Sequence, residues 1–105
     1  MKSGREIINL PQEELAEILE APIENLNRFI ISAIIHHDSR IISLWLGDES
    51  HLRLHFNFFT PGGKETPDFD QVEIIDHGLT LKLGNYEAAT DWIVEEHEKL
   101  NLDIN

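Results

Sequence analysis

The chain has 105 residues, 20 acidic against 8 basic, a net charge of −12 with the histidines neutral, and no cysteine. That length suits one domain, and 41% apolar residues are enough to form a core. The charge argues against direct binding to nucleic acid or to anionic membranes, since affinity for phosphate comes from Lys and Arg. Lack of cysteine excludes disulfides, thiolate metal ligands and a thiol nucleophile.

No apolar run approaches the ~20 residues of a membrane span. The opening Met1-Lys2-Ser3-Gly4-Arg5-Glu6 does not read as a signal peptide. The expectation is one cytoplasmic domain over residues 1–105.

Pro11 to Glu20 reads as a helix. Proline is tolerated in a first turn, Glu13 and Glu14 oppose the positive end of the helix dipole, and Leu15, Ile18 and Leu19 form an apolar stripe. Pro22 ends it. Residues 28–37 fit two patterns. Ile23, Leu26, Ile30, Ala33 and Ile34 suit a helical face, yet the run from Phe29 to Ile35 is rich in β-branched residues. The short link Asp38-Ser39 before the strand-like Arg40–Gly47 favours a hairpin.

From His51 to Phe59, Leu52, Leu54, Phe56 and Phe58 alternate with His51, Arg53, His55 and Asn57, the pattern of a half-buried strand. A three-residue loop, Asp48-Glu49-Ser50, pairs Leu46 with Leu52, Leu44 with Leu54 and Ile42 with Phe56. It sets Trp45 opposite Arg53 and Ser43 opposite His55. Thr60 to Asp70 reads as a loop. Gln71–Asp76 and Leu79–Leu83 form a second hairpin around His77-Gly78, pairing Val72 with Leu83, Ile74 with Leu81 and Glu73 with Lys82, with Gly78 at positive φ. Asn85 is expected to cap a last helix from Tyr86 to about Leu100, with Tyr86, Ala89, Ile93 and Leu100 on its core face and Trp92 beside it. The tail 101–105 is expected to fray.

The expected architecture is therefore α+β: an antiparallel sheet of about five strands with an N-terminal and a C-terminal helix packed on one face. The other face is left for water, a ligand or a second subunit. Trp45, Arg53 and His55 fall on it, and Arg over Trp suggests a cation–π contact. Trp and Arg are favoured at recognition surfaces, and His36 joins them as a candidate binding residue that would line a pocket on that face.

No metal or cofactor is assigned. His51 and His55 lie roughly 13 Å apart along a strand, from its ~3.3 Å rise, too far to share one ion. His36-His37-Asp38 supplies at most two ligands. Gly62-Gly63-Lys64 lacks the spacing of a phosphate loop, and Asp68, Asp70 and Glu73 lack that of an EF-hand. The serines sit in no nucleophile-elbow pattern, so no catalytic residue is assigned and the reading favours a binding module over an enzyme. Acids crowd the helical regions at both ends of the chain, Glu13, Glu14, Glu17, Glu20 and Glu24 at one and Glu87, Asp91, Glu95, Glu96 and Glu98 at the other. They suit a basic protein partner, as in inhibitors, immunity proteins and antitoxins. The alternatives are self-association through the open sheet, or a small ligand-binding protein or enzyme with a pocket on that face at a dimer interface.

Overall fold

The computed structural model describes residues 4–59 and 65–103, the last three by backbone alone. It is an α+β fold with two antiparallel sheets. The first contains β1 (Arg5–Asn9), β2 (Ile30–His36), β3 (Ile41–Leu46) and β4 (His51–His55), in that order. The second contains β5 (Val72–Ile75), β6 (Thr80–Leu83) and β7 (Tyr86–Ala89). Helix α1 (Gln12–Leu19) follows β1, and α2 (Thr90–Asp103) follows β7. Short 3-10 turns span Ile23–Arg28, Phe56–Phe58 and Asp76–Gly78.

This differs from a single sheet of about five strands. The two sheets pack together over one core, with Ala33, Ile35, Ile42, Leu44 and Leu54 from the first meeting Leu81, Leu83 and Ala88 from the second and Ile93 from α2. β5 lies against β1 and β2. The inner face of the first sheet is thus covered largely by a second sheet, an arrangement that alternation along each strand permits as readily as a helical layer.

Residues 30–36 are a strand, and the 30s–40s hairpin forms as the β-branched run favours. Ser32 stands opposite Trp45. The β5–β6 register is the expected one, with Val72↔Leu83, Glu73↔Lys82 and Ile74↔Leu81. His77 and Gly78 both take positive φ at the turn, 53° and 89°, as a type I′ geometry requires.

Four expectations are corrected. β1 is an additional strand, whose Ile7-Ile8 pair blurs the period-2 signal. Tyr86–Ala89 is a strand, not the first turn of a helix. Tyr86 and Ala88 are buried while Glu87 and Ala89 are exposed, Glu87 pairs with Lys82, and Gly84 (φ 70°) opens a two-residue turn with Asn85. The last strand of the first sheet stops at His55, and Phe56–Phe58 coils into a 3-10 turn. The stripes of the two helices are narrower than expected. Leu19 and Leu100 are exposed, and Ile18 and Ile93 are the buried anchors. The Gly62-Gly63-Lys64 segment and residues 104–105 lie outside the described residues, as do the side chains of residues 101–103.

One clasp ties the β5–β6 turn to the rest. A β-carbon on Gly78 would sit 2.7 Å from the Ile30 carbonyl oxygen. The Gly78 carbonyl accepts a buried hydrogen bond from Thr90 Oγ1 at 2.8 Å, and Thr90 N donates to Leu79 O at 2.8 Å. Thr90 itself is 1% exposed. Gly78→Ala meets both the left-handed φ and the Ile30 backbone, so a loss of at least about 1–3 kcal/mol is expected in urea unfolding. Thr90→Val leaves buried polar groups short of a partner and is expected to lose about 1–3 kcal/mol, with Thr90→Ser losing less.

Candidate functional site

Strand alternation divides the first sheet into two unlike faces. The registers place three rows of side chains outward. They are Arg5–His36–Ile41–His55, Ile7–Ile34–Ser43–Arg53 and Asn9–Ser32–Trp45–His51. The four candidate binding residues, Trp45, Arg53, His55 and His36, therefore share one face. No carboxylate stands in any of these rows, in a chain with 20 acids. Ile7 is 54% exposed at the edge, while Ile34, Ile41 and Trp45 are half-buried and shield the small Ser43. An apolar band is thus bordered by Arg5, Arg53, His36, His51 and His55.

The neighbours of Trp45 differ from the expected ones. The β3–β4 loop is Gly47-Asp48-Glu49, one residue earlier than expected, and the register slides by two. Trp45 faces His51, Ser43 faces Arg53 and Ile41 faces His55. A slide of two keeps every side chain on its face but separates Arg53 from Trp45. The indole instead stacks on His51, with ring centroids 4.3 Å apart and planes 21° from parallel. Beside it Ser32 Oγ donates to Asn9 Oδ1 at 2.8 Å.

The loop residues explain this register. Glu49 N donates to Leu46 O, Leu46 N donates to Ser50 O, and Glu49 takes φ 70°, the geometry of a type I turn closed by a left-handed residue. Asp48 accepts from both the hydroxyl and the backbone N–H of Ser50.

The acids lie elsewhere. Glu13 and Glu17 on α1, and Asp91, Glu95 and Glu98 on α2, are exposed. Some have basic neighbours. Asp91 takes a two-point bond from Arg28 at 3.0 and 2.7 Å, and Glu14 and Glu17 each lie 3.7 Å from His77. The result is a polarised molecule with one cation-edged apolar face on an acidic body.

His36 and His37 part company. His36 is outward on β2, whereas the His37 side chain is 4% exposed and held by Glu6 at 3.2 Å, with Asp70 at 3.8 Å. A second feature that sequence reasoning missed is at the same end of the sheet. Phe69 stacks on Phe56 at 3.8 Å and 4°, and Arg40 (φ 59°) lies over the Phe56 ring at 5.5 Å. The available signal was Arg40 itself, a cation at a four-residue turn where Gly or Asn is the easier choice. Among the described residues no three metal-capable side chains come together, and no helix is long and apolar enough to cross a membrane.

The hydrogen bond from the Ser50 hydroxyl, against a smaller opposing effect of burial, holds the Asp48 carboxyl below its ordinary value. A group depressed on folding contributes stability above its unfolded pKa and loses it as pH falls through the folded one. The β3–β4 turn is therefore expected to weaken only in acid, below the ordinary carboxylate range. In Ser50→Ala, carboxyl 13C titration is expected to move Asp48 back toward its ordinary value.

Comparison of the chain with protein-family models, with curated proteins and with solved structures finds no match.

Proposed function

We propose that this domain is a protein-interaction module, not an enzyme, and that it binds through the outer face of the β1–β4 sheet. The observation that supports this reading is the composition of that face. Trp45, Ile7, Ile34 and Ile41 present apolar surface, Arg53 and Arg5 flank it, and carboxylates are absent from its rows. Trp and Arg are the residue types that dominate interface energetics. Symmetric face-to-face pairing of two copies would oppose Arg5 and Arg53 with like charges, so the favoured partner is a different protein. A cytoplasmic setting suits a chain without cysteine.

A second reading rests on the exposed acids of α1 and α2, which suit a basic partner held in the manner of an inhibitor, immunity protein or antitoxin.

Affinity capture from native extract, at low and moderate salt, separates the two readings. The baits are the unaltered domain, a Trp45→Ala/Arg53→Glu variant and a Glu13→Lys/Glu17→Lys variant. The outer-face reading expects a specific protein retained by the first and third baits and lost by the second. Trp45→Ala alone is expected to weaken that complex by about 2 kcal/mol, roughly 30-fold. Loss with the α1 variant alone favours the acidic-helix reading. No specific protein on the unaltered domain contradicts both.

A further inference from the structure

At the β2–β3 turn the molecule has a recess that protein binding through the sheet face does not require. Its volume is about 470 Å³, within the range of small-ligand sites. The floor is aromatic. Phe56 and Phe69 stack face to face, and Phe59 meets Phe69 edge-on at 5.7 Å. The polar groups on its walls are Arg40, His55, Asn57 and Thr66. Among the described residues no carboxylate lines this lobe, although the chain carries 20 acids.

Arg40 is the cation of this recess. Its guanidinium lies 5.5 Å from the Phe56 ring centroid, and among the described residues it makes no ion pair. Its backbone takes φ 59°, a conformation that disfavours any residue with a β-carbon. The turn is fixed there by Phe56 N donating to Arg40 O at 3.0 Å. Strain of this kind persists where surrounding structure imposes it, and it gathers at ligand sites. An adjoining lobe of about 380 Å³ does contain carboxylates, but they face other groups. Asp68 accepts from Asp70 N and Gln71 Nε2, and Asp70 lies 3.8 Å from His37.

We infer that this recess is a binding site for a small organic carboxylate with a flat apolar body. The carboxylate pairs with the planar fork of Arg40, which suits two-point recognition. Asn57 and Thr66 supply further hydrogen bonds, and the apolar body lies against Phe69 and Pro67.

The test is a titration of the 15N-labelled full chain with phenylacetate, followed by amide and side-chain shifts. Phenylacetamide, its neutral counterpart, is titrated in parallel. Saturable shifts centred on residues 40, 55–57 and 66–69 are expected with phenylacetate and not with the amide. Arg40→Gly suits φ 59° and keeps the turn, and it is expected to bind at least about tenfold more weakly. Lys99→Ala, a loss of equal charge on α2, is expected to bind as the unaltered chain does. No saturation, equal binding of the amide, or full affinity in Arg40→Gly would overturn the proposal. The comparison of acid with amide needs no variant, so it decides the matter even where a substitution disturbs folding.

Discussion

The structure depends on the alternation of side chains across β2, β3 and β4. Ala33, Ile35, Ile42, Leu44, Leu52 and Leu54 all turn to one side and are nearly or wholly removed from water. At about 25 cal/mol per Å² of apolar surface buried, this set is a large part of what holds so small a domain together. Because the period is two, burying that set leaves no freedom for the rest. His36, Ile41, Trp45, Arg53 and His55 are forced to the other side, whatever else they do there. The candidate surface is thus a by-product of the core's geometry, and its composition is what distinguishes it from an ordinary wet sheet face.

Local turn chemistry then decides which residues meet on that face. Glu49 in the left-handed region and Asp48 bonded to Ser50 close the β3–β4 loop one residue early, and Trp45 stacks on His51 as a result. Gly78 does comparable work for the second sheet. Its lack of a side chain lets the β5–β6 turn approach Ile30, and Thr90 fastens the same turn to the start of α2. The two sheets are in this way joined by backbone contact as well as by apolar packing.

Much of this was legible in the residues. The Leu52/Leu54 against Arg53/His55 pattern identified β4 and its faces, and Val72↔Leu83 with Glu73↔Lys82 identified the second hairpin, because apolar and charge pairing agreed on one register. Other parts were hidden for physical reasons. Ile7-Ile8 puts an apolar residue on both faces of an edge strand, so β1 showed no alternation. Tyr86-Glu87-Ala88-Ala89 has good helix formers in its sequence, and tertiary pairing with β6 overrides them. Gly84-Asn85, a known two-residue hairpin signal, was the clue to that strand. That Trp45, Arg53, His55 and His36 share one sheet face was legible, but the rows on it were not, because a register change of two preserves faces while exchanging neighbours. The Arg40–Phe56–Phe69 recess depends on long-range approach of residue 69 to residues 40 and 56, which no local pattern encodes.

Polarity of charge gives the face its functional interest. Arg5, Arg53 and three histidines border an apolar band on a body whose exposed helices carry the acids. Single-cysteine labelling tests that two-faced layout most directly, since the native chain has no thiol to interfere. Arg53→Cys and Ala33→Cys are reacted with a thiol reagent under native conditions and again after unfolding. The two-faced layout predicts that the thiol at position 53 reacts nearly as fast folded as unfolded, while that at position 33 is protected until the chain unfolds. Protection at position 53, or free reaction at position 33, would contradict it.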